Sequence, residues 1–277
     1  MTGQDFNRRT MLGAFAVAAS APAGAALLSA RDTTSQALPD LSDPVVNVEC
    51  IVKMLGSLEA IDCPWWYTGT IYAQRERQAP IRLFRFEGCE INHFTRSSTG
   101  AYQMHARTLS FFRDWDSGAM MDEFRNPITG QTNKVSANVL GGNDWMEFSP
   151  TGVTLGGVAL TPPGKPYLLN WQASGDMVWV ITDRGLPTSP VQPILEAQSV
   201  FTPAAQLADR KRNRADAMFS STTFSPYPRW MEMGDAPGHT IWHAAGRKLR
   251  SLDELPAEYL DRARRQFPGQ LSAKPPA

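Results

Sequence analysis

Met177-Val178-Trp179-Val180-Ile181-Thr182 is apolar nearly throughout and rich in β-branched and aromatic residues. The run has the length of a strand, and Ser174-Gly175-Asp176 just before it has the composition of a turn. It therefore reads as a strand buried on both faces. Upstream the same grammar repeats. Pro64-Trp65-Trp66-Tyr67-Thr68-Gly69-Thr70-Ile71-Tyr72-Ala73 joins aromatic to β-branched residues, Ile81-Arg82-Leu83-Phe84-Arg85-Phe86 alternates for part of its length, and Tyr102 to Phe112 is a third such segment. Asn126-Pro127-Ile128-Thr129-Gly130 predicts a turn between Asp122–Arg125 and Thr132–Val139; Gly141-Gly142-Asn143 and Ser149-Pro150-Thr151-Gly152 punctuate in the same way. Many short strands, frequent turns and no alternating long helices predict a mainly β protein. An antiparallel β-barrel or curved sandwich, lipocalin-like in general architecture, fits best because either limits exposed edges.

Downstream the pattern changes. Thr202-Pro203-Ala204-Ala205 predicts a helix with Thr202 as N-cap, continuing to about Ala217. Its Asp209-Arg210-Lys211-Arg212-Asn213-Arg214 run reads as a solvated helix face rather than an anion or nucleic-acid patch, being short and isolated. Ser251 and Glu254 have the spacing of a capping box before the Glu258–Phe267 segment, so one or two C-terminal helices are expected.

The N-terminus is a separate piece. Arg8-Arg9 followed by Thr10, Met11 and Leu12, then an apolar run to Leu28 broken by Pro22 and Gly24, is similar to a twin-arginine export signal. The expected organisation is a signal peptide over 1–30, removed on export, a linker over 31–44, one β-rich domain over 45–268 and a disordered tail over 269–277. The expected location is the periplasm, with the twin-arginine translocation machinery as a partner before cleavage. No second apolar stretch approaches the ~20 residues of a membrane span.

With 27 Lys+Arg against 27 Asp+Glu, the chain has none of the basic excess that phosphate-backbone binding needs, so no nucleic-acid partner is expected. An apolar content of 42% excludes a disordered tail protein. Cys50, Cys63 and Cys89 contain no C-x-x-C pair; they read as three buried small hydrophobes, or as one disulfide with a spare thiol. No G-x-G-x-x-G, Walker loop or G-x-S-x-G elbow appears.

Chemistry has few places to sit. His239 and His243 would share one face of a strand, with Arg229, Trp230 and Trp242 close by in sequence. Asp114 and Asp116 flank Trp115; on a strand they would face the same way, and one could have its pKa raised to serve as a general acid. The expected catalytic set is His243 or His239 as base, Asp114 or Asp116 as acid and Arg229 as anion or oxyanion holder. Trp65, Trp115, Trp230, Trp242, His105 and Arg247 are the expected ligand-binding residues.

The Trp65-to-Thr70 opening, the Asn126-to-Gly130 turn, and the close from Trp230-Met231-Glu232-Met233-Gly234-Asp235 to Gly246-Arg247-Lys248 carry a family resemblance. On these segments the chain resembles the bacterial domain-of-unknown-function family 1838 over about residues 45–265. The resemblance implies that members are often exported and supplies no catalytic residues. The expected function is binding of a small apolar or aromatic molecule in a barrel interior, with or without lyase, isomerase or hydrolase-type acid–base chemistry and with no redox cofactor. The alternatives are a non-catalytic periplasmic carrier or sensor, and a metal-dependent enzyme using the His239–His243 pair.

Overall fold

The first helix is one the sequence reading does not anticipate. In the computed structural model, which describes residues 38–141, 145–162, 165–186 and 194–275, helix α1 spans Pro44–Leu55. The expected linker thus ends in a cap. Asp43 accepts from the backbone N–H of Val45 at 2.8 Å and of Val46 at 3.5 Å, and Pro44 sits at the first helical position. Val45, Val46, Val48, Ile51 and Val52 are poor helix formers, and burial of Val48, Ile51, Val52 and Met54 overrides that propensity. The expected signal peptide over 1–30, residues 31–37 of the linker, and Gly142 and Asn143 lie outside the described residues.

Strands β1 (Asp62–Gln74), β2 (Ile81–Arg96) and β3 (Tyr102–Arg113) follow as an antiparallel meander. Strands β4 (Glu123–Arg125) and β5 (Thr132–Lys134) pair separately across the Asn126–Gly130 turn. Then come β6 (Asn138–Leu140), β7 (Trp145–Ser149), β8 (Gly152–Leu155), β9 (Val158–Ala159), β10 (Trp171–Ser174), β11 (Met177–Leu186) and β12 (Ile194–Pro203). Helix α2 (Ala204–Ala208), β13 (Met218–Ser225), β14 (His239–Lys248) and α3 (Ala257–Gln266) complete the order.

The main sheet runs β10-β11-β12-β13-β14-β1-β2-β3-β7-β8-β9, with β6 also pairing to β3. β14 lies against β1 in register from Trp65↔Lys248 to Gln74↔His239, so chain end meets chain beginning at the sheet centre. The sheet is nevertheless open: among the described residues β9 and β10 are its two ends and no pairing joins them. The expectation of a closed barrel or curved sandwich is therefore corrected to one large, open antiparallel sheet beside the small β4–β5 pair, with a small helical part. Both ends are short strands, two and four residues, which limits edge pairing without closure.

Helices cover the sheet in place of a second layer of strands. Trp65 belongs to the face against α1, in a core with Phe94, Phe148, Val178, Val180 and Val200. Trp66, its neighbour, points the other way onto Tyr259 of α3, ring centroids 4.9 Å apart. Tyr259 is fully buried; its hydroxyl donates to Leu109 O at 2.7 Å and accepts from Cys89 N at 3.0 Å, fixing α3 on β2 and β3.

The Met177–Thr182 strand forms as expected, but on one buried face only. Val178 and Val180 are sealed by α1, whereas Ile181 is 51% exposed, because α3 reaches only the opposite half of the sheet. The helix expected from Thr202 to Ala217 shrinks to the five residues of α2. Thr202 is no cap; it is a buried β12 residue whose hydroxyl donates to Asp216 O at 2.7 Å. Ser251 does cap, accepting from Asp253 N at 3.3 Å, but the turn it starts is 3-10, and α3 begins after Pro256. Residues 268–270 form a last 3-10 turn, and Ala273 is buried against the α3 core.

Cys50, Cys63 and Cys89 are all buried and free. Burial pushes the Cys50 thiol up to about 11 and the Cys89 thiol to about 12, so neither is a nucleophile near neutral pH. No helix among the described residues is long and apolar enough to cross a membrane.

Candidate functional site

The structure disperses the residues that sequence reasoning grouped. His239 and His243 lie on the α3-side face of β14, as a strand requires, but i, i+4 on a strand separates them by about 13 Å. His239 rests near Phe224, centroids 5.8 Å apart, and His243 Nδ1 is 3.4 Å from the Thr222 hydroxyl. Two imidazoles so far apart cannot share one ion, and no group of three or more His, Cys, Asp or Glu among the described residues could hold a metal. The metalloenzyme alternative is overturned.

Asp114 and Asp116 sit in the turn after β3 instead of on a strand. Asp114 Oδ1 accepts from the Ser117 hydroxyl at 2.7 Å, from Ser117 N at 2.8 Å and from Asp116 N at 3.2 Å. Those bonds, the Ser117 side chain first, hold its carboxyl below the usual carboxylate range, opposite to what a general acid needs. Three strand spacings, about 14 Å, separate β14 from β3, so the expected His–Asp pair does not meet. Trp115 packs instead edge-to-face with Tyr72 at 5.4 Å, and the guanidinium groups of Arg82 and Arg85 lie 5.3 and 5.8 Å from its ring centre.

The expected aromatic lining is packed core. Trp230 meets Phe84 at 5.3 Å, Phe112 at 5.4 Å and Phe124 at 5.8 Å; Trp242 meets Phe86 at 5.1 Å and donates its indole N–H to Thr240 at 2.8 Å. Trp65 donates to Leu55 O at the end of α1, at 2.9 Å. His105 faces His93 across β2 and β3; burial, then His93 and Arg107, lower its pKa. With no barrel and its tryptophans in close contact, there is no barrel interior for a small apolar or aromatic molecule. The binding, carrier and acid–base readings that depended on one fall with it.

Of the expected residues, Arg247 lands where a partner could bind. At one end of the sheet, β11 starts, β12 ends, β13 starts and β14 ends side by side. There a cavity of about 480 Å³ is lined by Met177, Phe201, Pro203 and Met218, with Arg247, Arg250, Asp216 and Glu254 around it. Register puts Met177, Phe201, Met218 and Arg247 on one face, that shared with α3. Arg247 pairs with Glu254 at 3.2 Å, while the exposed Arg250 guanidinium makes no ion pair among the described residues. The same face continues outward through Ile181, Leu195 and Phe224, which with Met218 are 38 to 54% exposed. Sequence reasoning missed Met177, Phe201 and Met218 because they come from three strands and only register aligns them.

Lys248, the last residue of β14, also borders this cavity, but its side chain points to the other face, toward α1. It is 6% exposed, and its ammonium donates to Lys53 O at 2.7 Å, Met54 O at 2.8 Å and Gly56 O at 3.0 Å. These are the carbonyls a helix C-terminus leaves open, so Lys248 caps α1 from β14. Burial is the largest influence on it and pulls its pKa down to about 7.

No curated protein matches this chain. Among solved structures, the crystal structure of MucB in complex with MucA(peri) aligns at 12% identity over 86% of this chain and 100% of that one. Its TM-score of 0.11 carries no argument about fold or partner. A family model described as "Protein of unknown function (DUF1838)" matches residues 62–146 and 189–276, more than half of the chain. The match takes in β1 to β3, the Asn126–Gly130 turn, β13, β14 and α3, and so the centre of the sheet and most of the groove's lining residues. The chain belongs to the DUF1838 family.

Proposed function

We propose that this protein is a recognition domain holding an extended segment of another protein, apolar with an acidic residue, in the groove at the end of β11 to β14. The observation that carries the reading is the pairing of an open apolar floor, Met177, Phe201 and Met218, with the unpaired Arg250 and the half-used Arg247 at its rim. An apolar floor of this kind gains about 1.5–3 kcal/mol for each large partner side chain it covers. Arginine at the rim selects a carboxylate, by charge and by its planar fork. Asp216 and Glu254 beside the arginines suit a chain that brings both signs of charge and its own N–H groups. Micromolar affinity is on the order expected once ordering costs are met.

Panning a random peptide display library against the full chain tests this. Enriched peptides carry Asp or Glu beside apolar residues, bind at least tenfold more weakly to Arg250→Glu and to Met218→Glu, and weaken as salt rises. The reading fails if no motif is enriched, or if both variants bind as wild type while retaining its circular dichroism and melting behaviour.

We also propose twin-arginine export to the periplasm, supported by Arg8-Arg9 and the apolar run that follows them. Cell fractionation of the Arg8→Lys, Arg9→Lys double variant should find the protein retained in the cytoplasm. Continued export of that variant would sink the twin-arginine reading.

A further inference from the structure

A second cavity, of about 230 Å³, lies in the loop between β13 and β14 and shares no lining residue with the groove. Tyr227, Pro228, Arg229, Glu232, Met233, Gly234 and Ala236 line it. The volume corresponds to roughly eight waters and falls below that of drug-sized sites, so any occupant is small.

The loop is held rigidly. Arg229–Met231 is a single 3-10 turn, closed by Glu232 N donating to Arg229 O at 3.1 Å. Glu232 then adopts a left-handed backbone with φ of 49°, a conformation that persists in a non-glycine residue only where its surroundings impose it. Two buried asparagines impose it here. Asn126, in the turn after β4, donates to Met231 O at 3.3 Å and to Met233 Sδ at 3.1 Å. Asn133 on β5 donates to Glu232 Oε2 at 3.4 Å. Two of the segments that mark the family in the sequence thus meet at this loop.

Arg229 and Glu232 flank one turn and line one cavity, yet among the described residues neither forms an ion pair, with the other or elsewhere. Two buried polar atoms near the loop have no hydrogen-bond partner among the described residues. Asn133 Oδ1 is an open acceptor beside Glu232. Arg75 Nε is an open donor close to Tyr227, both side chains lying against Gly238. The cavity therefore offers a basic and an acidic side chain three residues apart on one turn, with Pro228, Met233 and Ala236 also in its lining.

We propose that this loop is a binding site for a small zwitterion, a free α-amino acid with an apolar side chain. Arg229 takes the carboxylate, and Glu232, held by Asn133, takes the ammonium. Both charged residues are solvent-exposed, so affinity is modest, on the order of 0.1–1 mM.

The experiment titrates L-leucine, N-acetyl-L-leucine and L-leucinamide into the full chain, followed by saturation-transfer NMR. L-Leucine should bind, and removal of either ligand charge should weaken binding about threefold or more. Arg229→Gln should abolish the preference for leucine over leucinamide, and Glu232→Gln the preference for leucine over its N-acetyl form. Each glutamine replaces an exposed side chain of similar length, so both variants should fold. No binding at 10 mM L-leucine, equal binding of all three ligands, or unchanged discrimination in both variants would overturn the proposal. None of these results bears on peptide capture in the groove, whose variants lie elsewhere.

Discussion

Replacing Lys248 by methionine should change stability by an amount set by pH. The substitution keeps the stem that packs near Trp65 and removes the donor to Lys53 O, Met54 O and Gly56 O. Lys53 O keeps a second donor, Ala215 N at 3.0 Å, so two carbonyls are left open. At about 1–3 kcal/mol for each orphaned buried carbonyl, the loss is about 2–6 kcal/mol. Against it stands the burial of an ammonium. The shift from the usual 10.5 to about 7 corresponds to about 5 kcal/mol of penalty on the charged form, so near pH 7 the two effects nearly offset. Between pH 7 and 10.5 the unfolded chain holds the proton and the native protein does not, so wild-type stability rises with pH over that window. A neutral amine still has two N–H groups for the two carbonyls that need them. Urea unfolding of wild type and Lys248→Met at pH 7 and 9 should show the gap widening by about 2 kcal/mol in favour of wild type. A gap that stays constant, or narrows as pH rises, would show that the carbonyls keep the ammonium charged and would refute this account.

Three further outcomes follow from the packing. A methyl group at Gly88 would collide with the Tyr67 ring and hydroxyl, which bonds to Ser110 at 2.9 Å; Gly88→Ala should cost about 2–3 kcal/mol in denaturant unfolding. Trp230→Ala should cost about 2–3 kcal/mol in the same assay, the loss of a partly buried side chain packed against Phe84, Phe112 and Phe124. The Asp114 carboxyl, followed by NMR, should titrate below 3.8, and the midpoint should move up in Ser117→Ala, which removes its shortest hydrogen bond.

Much of the sheet was legible as sequence. The Pro64–Ala73, Ile81–Phe86, Tyr102–Phe112 and Met177–Thr182 segments all lie in strands, because a period-two or β-branched run states its own conformation. The Asn126–Gly130 turn was legible for a similar reason. Asn126 Oδ1 accepts from Ile128 N and Thr129 N, and Gly130 takes a φ of 73°, all within five residues. Helix α1 was hidden because its valines speak for a strand until burial outweighs them. The candidate sites were barely legible. Arg247 and Arg229 are named from sequence, but Met177, Phe201 and Met218 beside the first, and Asn126 and Asn133 behind the second's turn, come from strands and turns 29 to 103 residues away.

By itself, then, the sequence determined where strands and turns fall, since these follow from side-chain periodicity and backbone preference within a few residues. Whether the sheet closed was decided by tertiary structure, where α1 and α3 cover its two faces and short strands end it, leaving nothing for closure to gain. The tertiary structure likewise turned tryptophans expected in a pocket into core. It also turned scattered Met177, Phe201, Met218 and Arg247 into one surface, because register between strands distant in sequence is fixed by the packing of the whole sheet.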